Sequence, residues 1–270
     1  MNIKRILTSI IGLPLVILII VFGTSQVINF VLMLVALICM DEYFRAVQKI
    51  SRPIKWVGYL STVIIFLISI IKLDLTMKIL FFSVPVLLLI LFLHIIITNM
   101  KITFRDVAYT FLGIMYVTGL IIFLGLITIS ENGKIFLGYT LLIAWTTDIF
   151  AYVIGRRYGK HHFSKVSPKK SVEGCVAGTV AALIFGLSYV MILSHFEMIN
   201  INEKQYLYVE GITLILTIIS QIGDFAASSI KRFTETKDYG SMLPGHGGML
   251  DRIDSLIFIA PFVYMILNII

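Results

Sequence analysis

Apolar residues in this chain run in long blocks rather than in alternation or along a single helical stripe. Nine such blocks, at 6–22, 25–44, 56–72, 78–98, 107–129, 135–155, 174–194, 207–230 and 253–270, are parted by short polar segments. A helix needs about 20 predominantly apolar residues to cross the hydrocarbon core of a bilayer. The pattern therefore predicts an all-α fold: a polytopic integral membrane helical bundle of about nine transmembrane helices. The first block follows Lys4 and Arg5 as the core of a signal peptide would, but no small-residue cleavage site follows it, so it is expected to stay as an uncleaved anchor. Residues 1–130 are expected to form an N-terminal helical region. Residues 131–270 are expected to form a C-terminal helical region with polar loops at 156–173 and 231–252.

Composition agrees with the block pattern and closes off other classes. Hydrophobic residues make up 59% of the 270 and charged residues 14%, against about 25% charge in soluble domains. The blocks consume nearly all of the chain and leave no room for a soluble domain. Cys39 and Cys175 lie in or beside apolar blocks with no metal-ligand spacing, and read as small buried hydrophobes.

The 22 Lys and Arg residues supply an orientation. With the N-terminus in the cytoplasm, only Lys72, Lys78, Lys134 and Lys204 fall on the far side, and the rest face inward. Such a bias is the positive-inside signal. It puts the N-terminus and the loops 156–173 and 231–252 in the cytoplasm, in a protein of the plasma membrane. The net charge of +7 is thus concentrated on the face exposed to anionic headgroups and soluble nucleotides. Topology alone accounts for the shorter basic loops. It accounts less well for "GRRYGKHHFSKVSPKKSVEG", where Lys, Arg and His crowd around a single Glu173. That loop suits a polyanion, though not a nucleic acid, since it is short and has no aromatic platform.

Acidic residues inside the blocks carry more information. Asp148 and Asp224 each fall six or seven residues short of a cytoplasmic end, roughly 10 Å deep at ~1.5 Å per residue. An ionised Asp at membrane depth costs about 2.5–3.5 kcal/mol even on a lenient scale, so such residues face a partner or a wet cavity. A structural pairing with Lys, Arg or backbone groups is the plainer alternative. Asp251 and Asp254 are three apart at the start of the last block and share a helical face. Capping of that helix explains one of them better than both. Asp224, Asp251 and Asp254 together would offer three oxygen donors near basic groups, a set suited to Mg²⁺ rather than zinc. "PGHGG" makes a tight turn whose backbone N–H groups can face an anion. It lacks the GK[ST] of a Walker loop, and its His246 is weak evidence alone.

"SSIKRFTETKDYGSMLPGHGGMLDRID", at 228–254, resembles the signature of the phosphatidate cytidylyltransferases, or CDP-diacylglycerol synthases. The fixed positions of that pattern are filled by Ser228, Lys231, Arg232, Lys237, Asp238, Gly240, His246, Gly247, Gly248, Asp251, Arg252 and Asp254. "DIFAYVIGRRYGKHHFSKVSPKKSVEG" is similar to a second block of the same family. The resemblance covers roughly residues 148–254, and the earlier blocks share only apolar character. It implies transfer of the cytidylyl group of CTP to phosphatidate, giving CDP-diacylglycerol and pyrophosphate for phospholipid synthesis, with a divalent metal. One or two Mg²⁺ ions fit the expectation, a monovalent cation and a homodimer stay open, and nucleic acid is not an expected partner. Asp224 and Asp251 are the leading metal ligands, with Asp254 and Asp148 as further ligands or support. Lys169, Lys170, Lys231, Arg232, Lys237 and Arg252 are expected phosphate contacts. Gly247 and Gly248 would let backbone approach the nucleotide, and His246 would orient phosphate.

Two other classes share some of these features. A CTP-dependent polyprenol or phytol kinase would move the γ-phosphoryl group and release CDP. An ion-coupled transporter would use intramembrane Asp residues as a relay, but paired repeats or broken helices in both halves are not found here. The orientation is open to direct test by single cysteines replacing Ser164, Asn202 or Ser241 in a background lacking Cys39 and Cys175. An impermeant thiol reagent on intact cells is expected to label position 202 alone. Labelling at 164 or 241 instead would reverse the topology.

Overall fold

The computed structural model describes residues 3–71, 76–162, 167, 170–242 and 247–269. The elements are α1 (Ile3–Phe22), α2 (Ser25–Val47), α3 (Lys55–Ile71), α4 (Thr76–Ile97), α5 (Phe104–Gly113), a π-helical turn (Ile114–Thr118), α6 (Gly119–Ile127), α7 (Gly133–Tyr158), α8 (Val172–His195), α9 (Glu203–Phe233) and α10 (Leu250–Ile269). Because α5, the π turn and α6 are continuous, the described residues hold nine helices, one for each apolar block. Among the described residues, six helical stretches are long and apolar enough to cross a membrane: α2, most of α4, the α5–α6 helix, α7, α8 and α9. Helix α3 is shorter, at 17 residues, and α10 opens with the charges of Asp251, Arg252 and Asp254. The chain is an integral membrane protein of the helical type.

Local chemistry sets several helix starts. Thr24 caps α2, its hydroxyl accepting from the Val27 N–H at 3.3 Å. Ser171 caps α8 through the Gly174 N–H at 3.2 Å. At α5, Asp106 accepts from the Thr103 N–H at 2.8 Å and also from the Arg52 N–H. One carboxylate thus starts a helix and fastens the α2–α3 connection to it.

The chain divides into two compact units. The first comprises residues 1–134 and 231–253. Its centre is α2, which packs against α1, α3, α5, the π turn and α6. Met40, Tyr43 and Phe44 of α2 are fully buried with Phe66, Ile114 and Ile121. Polar links join the same helices. The Asn29 side chain donates to Ser25 O at 2.8 Å and to Gly125 O at 3.4 Å, and accepts from the Ser69 hydroxyl at 2.9 Å. The Thr62 and Thr118 hydroxyls share a hydrogen bond of 2.6 Å. Such bonds tie together helices that gain little from apolar burial within lipid.

The second unit comprises residues 135–230 and 254–270. Helices α7 and α8 approach closely through small residues. A Cβ on Gly178 would lie 2.5 Å from Thr147 O, and one on Gly174 would lie 2.6 Å from Ala151 O and 2.9 Å from the Gly155 Cα. Thr147, Ala151 and Gly155 are one helical turn apart and face the Gly174-x-x-x-Gly178 stripe, the small-residue contact common between membrane helices. Gln221 ties α9 to α8, donating to Cys175 O at 3.2 Å and Thr179 Oγ1 at 3.0 Å. The α9–α10 contact turns on Gly223, where a Cβ would meet Asp254 O at 2.8 Å.

Gly178→Ala is expected to lower the melting temperature of the purified protein, since overpacking against backbone costs typically ~1–3 kcal/mol. A Cβ on Gly211 would meet no neighbouring atom within 4 Å among the described residues. Gly211→Ala should leave the melting temperature unchanged or raise it, because Ala exceeds Gly in helix propensity by about 1 kcal/mol. Equal effects at the two positions would refute the close α7–α8 contact.

Candidate active site

The signature segment builds its geometry around the start of α10. A helix leaves its first N–H groups without intrahelical partners. Here two glycines precede α10, and Gly247 has φ +85, a left-handed backbone that favours glycine. The Gly248 N–H donates to Asp251 Oδ2 at 3.0 Å, and the Tyr239 N–H donates to the same oxygen at 2.9 Å. The other oxygen, Oδ1, receives Lys231 Nζ at 2.7 Å. The side chains of this pair are 14% and 6% exposed, and Lys231 Nζ also lies 5.4 Å from the centre of the Tyr239 ring. A buried ion pair is tolerable when further hydrogen bonds occupy the remaining lone pairs, and Asp251 meets that condition. The amide of Gly248 does face an anion, as the glycine turn suggested, but that anion is the chain's own Asp251.

A second acid reaches the same turn from α2. Glu42, 4% exposed, accepts from the Met249 N–H at 3.0 Å and the Leu250 N–H at 2.8 Å. Sequence reasoning missed it. The available signal was the acid pair in "MDEYFR" at the polar end of an apolar block. Arg232, Lys237 and Arg252 are exposed on this segment, and Lys49 donates to Glu235 O at 3.1 Å.

The second unit holds the other expected acids. Lys170 is ion-paired with Asp224, and its ammonium stands 4.3 Å from the centre of the Phe225 ring. Their side chains are 20% and 26% exposed, so the pair is not sealed inside the unit. On α10, Ser255 links two more carboxylates. Its hydroxyl donates to Asp148 Oδ2 at 2.7 Å and its N–H to Asp254 Oδ1 at 2.9 Å. Asp254 and Ser255 are buried, while Asp148 is half-buried. His246 and Lys169 lie outside the described residues.

These acids therefore stand in small sets. Asp251 stands with Lys231 and the glycine turn, Asp224 with Lys170, and Asp148 with Asp254 through Ser255. Among the described residues, no three His, Cys, Asp or Glu side chains gather to hold a metal ion. The donors are all oxygen, which fits a hard cation. Mg²⁺ usually takes one or two carboxylates and fills its shell with water and substrate phosphate, so pairs of this kind fit it without a three-acid cage.

Known proteins bear on the same residues. The model of the cytidylyltransferase family matches residues 3–270. The phosphatidate cytidylyltransferase of Staphylococcus haemolyticus (strain JCSC1435) is 32% identical over 268 residues, 97% of this chain and 98% of that protein. That of Bacillus subtilis (strain 168) is 34% identical over 182 residues, 66% of this chain and 65% of its own length. That of Staphylococcus saprophyticus is 36% identical over 179 residues, again 66% and 65%. The matched stretch thus spans just under two thirds of the last two relatives and nearly all of the first. With a helical membrane fold, a complete signature and a family match from end to end, the chain belongs to the cytidylyltransferase family.

Proposed function

We propose that this enzyme transfers the cytidylyl group of CTP to phosphatidate at the cytoplasmic face of the plasma membrane, releasing pyrophosphate. The observation that carries the reading is the similarity over 97% of the chain to a phosphatidate cytidylyltransferase. A phosphate oxygen of phosphatidate attacks the α-phosphorus of CTP. The bond from that phosphorus to the β-bridging oxygen breaks, and pyrophosphate leaves with the electron pair. The nucleophile needs no strong base, because the second ionisation of a phosphomonoester lies near ~6. The obstacle is charge, since one polyanion must approach another.

The residues suit that obstacle. Lys170 and Lys231 are each held by a carboxylate, so each stands ready within the protein rather than free in solution. In this reading the lysines turn toward phosphate when substrate arrives, and Asp224 and Asp251 turn toward a cation. Asp254 and Asp148 support them, and Arg232, Lys237, Arg252 and Lys169 add positive charge for the phosphates. Gly247 and Gly248 keep the backbone close to Asp251, and His246 orients phosphate. Mg²⁺, when bound, would neutralise phosphate oxygens and align the reacting groups.

With CTP labelled at the α-phosphorus, label is expected in the lipid fraction, dependent on phosphatidate and divalent metal. With the γ-phosphorus labelled, none is expected there. Label from the γ position, or diacylglycerol serving as well as phosphatidate, would indicate a kinase instead. Asp224→Asn and Asp251→Asn are each expected to lower turnover ~10²-fold or more with the protein still folded, as loss of a key charge-stabilising group commonly costs about 2.7–4 kcal/mol. Activity within a few-fold of wild type at saturating Mg²⁺ would remove that residue from the metal site.

A further inference from the structure

One buried acid has no task in the reaction above. Glu42 is 4% exposed, fixed on α2, and separated from its hydrogen-bond partners by 207 and 208 residues. Its two oxygens divide the work. Oε1 takes the Met249 N–H at 3.0 Å and Oε2 takes the Leu250 N–H at 2.8 Å. The amide just before them, that of Gly248, goes to Asp251 Oδ2 at 3.0 Å. Three consecutive N–H groups at the start of α10 are thus shared between a local carboxylate and a remote one. A negative side chain at a helix N-terminus gains from charge-assisted hydrogen bonds and from the helix dipole.

The glycines of the signature fit Glu42 closely. A Cβ on Gly240 would lie 2.4 Å from Glu42 Oε1, and one on Gly248 would lie 2.6 Å from Glu42 Oε2. The three atoms nearest a Cβ on Gly240 all belong to the Glu42 side chain. These two positions therefore admit a carboxylate from α2, which is reason enough for glycine there.

We propose that Glu42 is the positioning residue of Asp251. The inference rests on Asp251 being an active-site carboxylate, as proposed above. By holding the amides of Met249 and Leu250, Glu42 fixes the turn that immediately precedes Asp251. Asp251 is then free to place one oxygen on the Tyr239 and Gly248 amides and the other on Lys231. Without Glu42, the part-buried Met249 N–H and the buried Leu250 N–H lack an acceptor, which costs free energy. Asp251 already accepts from the Gly248 amide on the same turn, and each bond it made to the next two amides would draw it from Lys231. Glu42 itself touches no substrate in this scheme.

The test uses the full-length protein in detergent, with Glu42→Ala, the near-isosteric Glu42→Gln, Gly240→Ala and the double variant Glu42→Ala/Gly240→Ala. Hydrogen exchange read by mass spectrometry reports the geometry without activity. In Glu42→Ala, exchange at Met249 and Leu250 is expected to quicken roughly tenfold or more, the scale of an unsatisfied buried N–H. Exchange at Tyr239 and Gly248, which report Asp251, should quicken with it, while α8 stays unchanged. Glu42→Gln keeps one acceptor oxygen and should fall between. In the assay, the half-saturating Mg²⁺ concentration is expected to rise while the KM for phosphatidate stays as in wild type. Gly240→Ala alone should reduce activity, and the double variant should be no worse than Glu42→Ala.

Unchanged exchange at Tyr239 and Gly248 would overturn the proposal. So would an activity loss that tracks lower stability with no shift in Mg²⁺ dependence, or losses from Glu42→Ala and Gly240→Ala that multiply. If the wild-type protein transfers no cytidylyl group, the functional reading fails, and the exchange data still decide whether Glu42 places Asp251.

Discussion

Hydrogen-bonding groups away from water must find their partners inside the protein, and the start of α10 meets that demand with carboxylates. Glycines open the way into the helix, and the amides that follow have no intrahelical acceptor. Two carboxylates answer them, one from the turn itself and one from α2. Much of the first unit near this turn is arranged around that exchange. Glycines stand where a side chain would strike Glu42, Tyr239 gives its amide to Asp251, and Lys231 balances the charge that results.

The same economy holds in the second unit, with different parts. Asp224 is balanced by a lysine that also lies over an aromatic ring. Asp148 and Asp254 are bridged by a serine that donates from both its hydroxyl and its backbone. In each set a hydrogen-bond donor or a cation already faces the acid. Groups that can exchange such partners for phosphate and metal are what a reaction between two polyanions requires.

The helices were legible because a bilayer imposes one demand on a spanning segment, and the apolar blocks answer it directly. Block ends and helix ends differ by four residues or fewer, the larger differences arising where a helix runs on into the polar residues that flank a block, as at Glu203 and Arg157. Asp251 and Lys231 were legible through the signature, but their mutual bond and the Tyr239 amide were not, since neither follows from spacing. Glu42 was invisible for a physical reason. An acid at the polar end of an apolar block is ordinary beside interfacial water, and only a contact across more than two hundred residues gives it a task. Order along the chain likewise gives no sign that residues 231–253 pack with residues 1–134.

That long separation has a consequence for assembly. Helix α2 is made early, and its acid enters the bilayer region with its eventual partners still unsynthesised. The amides it needs arrive only with the last helix. Until then Glu42 lacks the two amides that hold it in the complete chain, although α2 already has α1, α3, α5 and α6 to pack against. The contact between α2 and the start of α10 can therefore form only at the end of synthesis. A chain that stopped short of α10 would lose more than a helix, because Glu42 on α2 would be left without the Met249 and Leu250 amides.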